Sequence, residues 1–118
     1  MLGDSIAGLS AWRPGETHAF TLRWRLGGPL AGDYQVFVHL RNAHTGQELS
    51  LGDGPPCSGW YPTSWWPVGE PIIDRRMLSL PPDLPAGDYQ LVVGLYDLAS
   101  GERPLGEHVV DHITVGAP

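Results

Sequence analysis

The feature of this sequence that most limits its fold is an alternation of apolar and polar residues with a period of two. In the segment THAFTLRWRL, residues 17–26, Leu22 and Trp24 share one face while Thr21 and Arg23 take the other. This period is typical of a half-buried strand, because successive side chains of a strand point to opposite sides of the sheet. Further strands are predicted at residues 34–40, 72–80, 89–97 and 108–115, with shorter ones at 6–12 and 47–51. No window has a helical stripe, so helices are not expected.

About seven short strands separated by turns predict an all-β fold. The expected architecture is an immunoglobulin-like antiparallel β-sandwich of about seven to eight strands. The 118 residues fit a single sandwich domain, 1–118, which at this length buries roughly two-thirds of its unfolded surface. The 16 Gly and 12 Pro lie largely between the apolar runs, where turns are needed.

A short repeat links two of the predicted strands. Residues 31–48, AGDYQVFVHLRNAHTGQE, and residues 86–103, AGDYQLVVGLYDLASGER, share Ala-Gly-Asp-Tyr-Gln, a β-rich run and a glycine-containing turn. Two copies are too few for a solenoid, so we expect two central strands that enter the core through similar corners. Tyr89 follows a Pro-Ala-Gly-Asp bend, which resembles a tyrosine corner, whose buried ring bonds upstream backbone through its hydroxyl. We expect Tyr34 to have the same structural role.

The charge balance argues against two classes of partner. The net charge is −6, and all seven basic residues are Arg. The sequence has no stripe of basic residues that could run along the phosphate backbone of a nucleic acid, so nucleic acid is not expected as a partner. An anionic membrane surface is not expected as a partner for the same reason.

Other compositional features bear on location. No apolar run approaches the roughly 20 residues that span a bilayer, so this segment is not expected to insert into a membrane. The start, MLGDSIAGLS, lacks the basic and apolar regions of a signal peptide. We therefore expect either a cytoplasmic protein or a piece of a longer exported chain. Cys57 is the only cysteine, which rules out an intrachain disulfide.

Several motifs together resemble a known bacterial domain. They are FVHL, DGPP, YPTSxWxxGExxxD and LPAGDYxLxVGLYDxxxGER, and the resemblance covers nearly the whole chain. The family is the exported C-terminal β-sandwich domain of large multi-pass membrane proteins that resemble dolichyl-phosphate-mannose-type glycosyltransferases. The resemblance implies a sandwich outside the cytoplasm, next to other domains of a larger membrane protein. By analogy it points to glycan contact.

The segment CSGWYPTSWWPVGE, residues 57–70, gathers three of the five Trp among Pro, Gly and Ser. Trp66 falls on the Trp position of the family and is expected to close one end of the sandwich. Trp60 and Trp65 depart from the family pattern, and exposed Trp rings are a common platform for sugars or apolar partners. The alternative interpretation is that these aromatic side chains fold over the core.

Four more residues complete the expected ligand site. Tyr61 would add a ring edge and a hydroxyl to the platform, and Asp53, Glu70 and Arg75 would supply hydrogen bonds to sugar hydroxyls.

Catalytic and metal sites are not expected, so no catalytic residue, metal ligand or cofactor is assigned. His108 and His112 lie four apart on a strand, about 13 Å, which is too far to share one ion. The carboxylates Asp53, Glu70, Asp74, Asp97 and Asp111 lie near strand ends without a fixed opposing pair.

Cys57 is a candidate catalytic nucleophile, but no His or other base lies near it in sequence to activate its thiol. The chain is therefore expected not to be an enzyme. Together with this absence, the family resemblance implies an extracytoplasmic accessory module that recognises glycans or a cell surface. The alternative is a purely structural or protein-interaction domain attached to a membrane glycosyltransferase.

Overall fold

The computed structural model describes residues 2–5, 11–30, 32–103 and 106–116, with backbone alone for residues 2–5 and Ala11. Eight strands occur in these ranges: β1 (Leu2–Ser5), β2 (Ala11–Trp12), β3 (Thr17–Arg25), β4 (Gln35–Asn42), β5 (Glu48–Ser50), β6 (Ile72–Ser79), β7 (Gly87–Tyr96) and β8 (His108–Val115). Two short 3₁₀ helices, Pro56–Gly59 and Thr63–Trp65, lie between β5 and β6. The same ranges contain no α-helix.

The strands form two packed sheets, and the predicted all-β sandwich is confirmed. One sheet has the order β1-β3-β6, and the other has the order β2-β8-β7-β4-β5. Neighbouring strands are antiparallel, except that β2 runs parallel to β8. In immunoglobulin domains of the variable type, additional strands extend the three-stranded sheet at its edge. Here β5 extends the sheet of β8, β7 and β4 in the same way.

The first strands differ from the sequence-based expectation. Of the strand predicted at residues 6–12, only Ala11–Trp12 is found in the described chain, and residues 6–10 lie outside it. The unpredicted β1 has the sequence LGDS, which carries no alternation, and it forms by pairing with β3 between Leu2↔Arg25 and Ser5↔Leu22. Its pairing partner, not its own pattern, makes it a strand.

The core lies between the sheets and is built by the predicted alternation. The inward side chains of Phe20, Leu22 and Trp24 on β3 are buried, whereas Arg23 and Arg25 on the same strand are exposed. Large core side chains from both sheets are Trp24, Leu22, Leu26, Leu40, Leu78, Leu91, Leu95 and Ile113. At roughly 1.5–3 kcal/mol for each fully buried large apolar side chain, this layer is the main stabilising element of the domain.

The outer face of the five-stranded sheet departs from simple alternation. Phe37 and Val92 occupy outward positions, yet they are 1% and 0% exposed. Arg103, in the connection between β7 and β8, covers Phe37, with its guanidinium 4.2 Å from the centre of the ring. Gly94 leaves room for this ring, because a Cβ there would lie 2.3 Å from Phe37 Cε2.

Candidate functional site

The aromatic loop, residues 51–71, connects β5 to β6 and thereby crosses from one sheet to the other. Trp60 is 85% exposed and Trp65 is 67% exposed, whereas Trp66, the next residue, is 5% exposed. Neither exposed ring stacks on another aromatic side chain in the described part of the chain. The loop thus presents two indole rings to solvent beside one that belongs to the core.

Trp66 closes one end of the sandwich. Its ring packs against the ring of Trp24, with 6.2 Å between the centroids and an angle of 36° between the planes. Its indole Nε1–H donates to the carbonyl oxygen of Tyr61 at 2.9 Å. The half-buried Tyr61 packs against the core cluster, so it belongs to the closed end more than to the exposed platform.

The turn that carries Trp65 is fixed to the start of β4. The buried Thr63 hydroxyl donates to the carbonyl of Gly32 at 2.9 Å and accepts from the backbone N–H of Tyr34 at 2.9 Å. The backbone N–H of Ser64 donates to Asp33 Oδ1 at 3.0 Å. Hydrogen bonds from Ser64 hold the pKa of Asp33 below its ordinary value. These hydrogen bonds hold the backbone of the turn in place, while the side chain of Trp65 is exposed to solvent.

The turn before Trp60 has an unusual backbone. Cys57 and Ser58 have φ values of 52° and 55°, and Gly59 follows at 86°. Non-glycine residues in the left-handed region cost roughly 1–2 kcal/mol each, so other contacts must hold them. The N–H of Cys57 donates to Asp74 Oδ1 at 2.9 Å, and its Sγ lies 3.4 Å from the carbonyl oxygen of Ile73. Burial raises the pKa of the Cys57 thiol, which disfavours a reactive thiolate.

A buried ion pair, which we call the brace, holds this part of the loop on β6. Asp74 is 0% exposed, and its Oδ2 accepts from Trp24 Nε1 at 3.3 Å and from a guanidinium nitrogen of Arg76 at 3.0 Å. Arg76 also donates to the loop carbonyls of Gly52 at 2.7 Å and Pro55 at 3.3 Å. The brace satisfies loop backbone groups that would otherwise lack partners.

The residues expected to bind ligand are not all in one place. Trp60 and Trp65 stand out from the loop, whereas Asp53 Oδ1 accepts from the N–H of Val38 at 3.0 Å and lies 3.6 Å from His39 Nε2. The Asp53 carboxylate therefore holds the loop against β4 and has a structural role. Glu70 is exposed and has no hydrogen bond or ion pair within the described ranges.

Arg75 lies on the outward face of β6, beside a groove of about 600 Å³. We call this cavity the β3–β6 groove. Its lining residues come from β3 (Ala19, Phe20, Thr21), from β6 (Arg75, Arg76, Met77) and from the aromatic loop (Gly52, Gly54, Pro55, Ser58). Because four residues of the aromatic loop line it, the groove opens next to that loop.

The two tyrosines of the repeat have different surroundings. Tyr89 is 3% exposed, and its hydroxyl donates to the carbonyl of Pro85 at 2.7 Å, the bond expected of a tyrosine corner. Tyr34 is half-buried against the core, and its hydroxyl has no hydrogen-bond partner among the described residues. The backbone N–H of Tyr34, not its ring, makes the connection to the aromatic loop.

Sequence reasoning missed the brace and the anchor formed by Asp33 and Thr63. One signal for the brace was present: Asp74 and Arg76 fall on the same face of β6 as the buried Ile72 and Leu78. Opposite charges two residues apart on an apolar strand face indicate an inward ion pair. No comparable signal marked Thr63, because its partners are backbone groups about 30 residues away along the chain.

The described ranges contain no group of three or more His, Cys, Asp or Glu side chains that converge on one point. His108 and His112 lie on β8, the first half-buried and the second exposed. Nor do these ranges include a helix with the length and apolar character needed to cross a bilayer.

The sequence matches no protein-family model and no curated protein. Among solved structures, the chain is similar to one in a study of T cell specificity and activation by the bacterial superantigen toxic shock syndrome toxin-1. That chain is 8% identical, with a TM-score of 0.48 over 99% of this chain and 98% of that one. A chain of a CaDoc0917–CaCohA2 complex is 11% identical, with a TM-score of 0.35 over 98% of each chain.

Proposed function

We propose that this domain is a non-catalytic accessory module that recognises glycans or a cell surface through Trp60 and Trp65. The observation that supports the proposal is that both rings are mostly exposed, at 85% and 67%, while hydrogen bonds hold the backbone on either side of them. An exposed indole face packs well against the C–H face of a sugar ring, and a fixed backbone lowers the entropy lost on binding.

Each stacked ring contributes roughly 0.5–1.5 kcal/mol beyond the area it buries, so a single site of this kind binds weakly. Weak sites become effective when they are tethered near their ligand or repeated along it. This fits a domain carried outside the cytoplasm by a larger membrane protein, such as a glycosyltransferase, and we include that location and parentage in the proposal.

The non-catalytic part of the proposal is supported by the use of the carboxylates. Asp33, Asp53 and Asp74 each accept hydrogen bonds from backbone N–H groups within the fold. Glu48 is bonded to His39 and Arg41. A glycosidase needs two carboxyl groups that face each other across the bound sugar, and these four are occupied elsewhere.

A second candidate is a docking surface for a neighbouring domain or another protein. Ile73 and Met77 are 45% and 66% exposed on the outward face of β6, beside the aromatic loop. Like Trp60 and Trp65 they are exposed apolar side chains, and Trp and Met are enriched in protein interfaces. In this candidate the domain would space or dock the neighbouring parts of a larger protein.

The test is a panel of neutral and acidic oligosaccharides, read by Trp fluorescence on the wild type and by calorimetry on the variants. Calorimetry is needed because the variants lack the reporting rings. Trp60→Ala combined with Trp65→Ala should abolish binding without changing the unfolding midpoint, since both rings are exposed. Leu98→Ala, at a side chain 72% exposed on the β7–β8 connection, is the matched control and should bind as the wild type does.

Two outcomes would contradict glycan recognition. If no saccharide binds the wild type, and the double Trp variant loses association with adjoining segments of its parent protein, the docking function replaces it. If the double variant is instead markedly less stable, the rings support the fold and are not a platform.

A further inference from the structure

The arginines of this acidic domain differ in whether they have acidic partners. Arg41 bonds to Glu48 and Glu107, and Arg76 is paired with Asp74. Arg75, next in sequence to Arg76, makes no ion pair with any carboxylate of the described chain. Its side chain is exposed, and it lines the β3–β6 groove. An unpaired guanidinium at a concave surface is a ready partner for an anionic group.

The rest of the groove suits a sugar ring better than a flat apolar molecule. Thr21 lies directly opposite Arg75 in the β3–β6 register, and Ser58 contributes a second hydroxyl from the loop. Met77 and Pro55 supply apolar surface to the same groove. The groove thus combines a few polar groups with exposed apolar surface, a composition typical of small-ligand sites.

Further positive charge lies on the same sheet face. Arg23 and Arg25 occupy outward, exposed positions of β3, with Arg23 opposite Ile73 on one side and Asp4 on the other in the strand register. The net charge of the whole chain is −6, whereas Arg23, Arg25 and Arg75 share this face with Asp4 of β1 beside Arg23. Arginines on one face add to its local positive potential, which favours an anionic ligand.

We propose that the β3–β6 groove binds a carboxylate-bearing saccharide, such as a hexuronate oligosaccharide, with Arg75 as the partner of the carboxylate. This inference rests on the proposed glycan-binding function and narrows it to acidic sugars. The planar guanidinium of Arg75 matches a carboxylate with two parallel hydrogen bonds, while Thr21 and Ser58 bond ring hydroxyls.

The experiment compares a hexuronate oligosaccharide with its carboxyl-reduced, uncharged counterpart by calorimetry. We expect the acid to bind the wild type roughly tenfold more tightly, the size of one charge-assisted hydrogen-bonded contact. Arg75→Gln should remove that preference, so that the acid and the neutral form bind the variant with similar affinity. Arg13→Gln, at an exposed arginine between β2 and β3 that is not part of the groove, removes the same charge and should keep the preference.

The outcomes separate this inference from the proposed function. If the neutral sugar binds and the acid binds no better, the groove assignment is overturned while the Trp platform stands. If no saccharide of either kind binds, both are overturned. If an Asp- and Glu-rich peptide binds in an Arg75-dependent manner but the hexuronate does not, the groove takes protein carboxylates and the saccharide assignment is wrong.

Discussion

The two copies of the Ala-Gly-Asp-Tyr-Gln segment, residues 31–48 and 86–103, supply the adjacent strands β4 and β7. Equivalent residues Val38 and Val93 lie directly opposite each other in this pair. The copies are thus related by a local two-fold axis, which places the start of each beside the turn of the other. Similar sequences therefore occupy opposite ends of the sandwich, where they can be compared.

The turns of the two copies have the same structure. Asn42 Oδ1 accepts from the two backbone N–H groups that lie two and three residues further on, and Asp97 Oδ1 does the same. Gly46 and Gly101 then adopt φ values of 76° and 75°, and each donates its N–H to the carbonyl of its Asn or Asp. These bonds are all local, so the local sequence is sufficient to specify them.

The corners of the two copies differ. Tyr89 makes a self-contained corner through its bond to Pro85, whereas the corner at Tyr34 is joined to the aromatic loop. There Asp33 and the N–H of Tyr34 bind the turn that begins at Thr63. The two corners therefore differ because the aromatic loop packs on one of them and not on the other. The end of the sandwich at Tyr34 is modified in this way to carry the exposed Trp side chains.

The largest expected effect comes from removing the brace at the modified end. Asp74→Ala leaves the Arg76 guanidinium buried without its partner, so the free energy of unfolding should fall by about 3–5 kcal/mol. Chemical denaturation measures this change. Glu70→Ala, an exposed carboxylate on the same loop, is the control and should change stability by less than about 0.5 kcal/mol. Equal effects of the two variants would show that the brace does not hold the loop.

The next effect compares the two tyrosines directly. Tyr89→Phe removes the buried bond to Pro85 and should lower the free energy of unfolding by about 1–3 kcal/mol. Tyr34→Phe should change it by less than about 0.5 kcal/mol, because that hydroxyl has no partner within the described residues. Thermal unfolding of both variants checks the difference. If they lose stability equally, the two corners are energetically alike and the comparison fails.

A smaller effect is expected from the anchor of the Trp65 turn. Thr63→Val keeps the side-chain shape but loses both bonds to the start of β4, and should lower stability by about 1–2 kcal/mol. Quenching of Trp fluorescence by acrylamide should also increase as the turn loosens. Thr45→Val, which removes a single exposed hydrogen bond from the N–H of Gln47, is the control and should change both measurements less than Thr63→Val does.

The smallest effect is a pH dependence at Asp33. Its pKa is lowered in the folded state by bonds from Ser64, so its contribution to stability is complete above its ordinary pKa of 3.8 and is lost as the pH falls through the folded value. Wild type and Asp33→Asn should therefore differ in stability at pH 6 and converge toward pH 2. A difference that stays constant over this range would show that the Asp33 carboxylate does not stabilise the fold by ionisation.

Sequence reasoning succeeded where one buried face decides the structure. The strand predicted at residues 108–115 is found with those bounds, and the one predicted at 17–26 is found as Thr17–Arg25. It did not foresee that Phe37 would be buried on an outward face, because the connection that covers it lies some 60 residues further along the chain.

The same limit applies to the candidate site. The sequence pattern marked Trp60 and Trp65 as candidates for exposure, but the backbone N–H groups that Asp53 and Asp74 bind could not be derived from spacing. Both carboxylates bond to groups at least 15 residues away along the chain. Such contacts are set by how the sheets pack, and short-range patterns contain little information about them.

The brace has a further consequence for how this protein associates with itself. β6 is an edge strand of its sheet, and a bare edge of this length offers unpaired backbone groups to a strand from another molecule. The loop from Gly52 to Cys57 lies along that edge, where Cys57 contacts the carbonyl of Ile73 and Arg76 fixes the loop in place. Loosening the loop would thus expose the backbone groups of β6 to pairing with a strand of another molecule. Loss of the Asp74 carboxylate would therefore cause β-rich aggregation before the core itself unfolds.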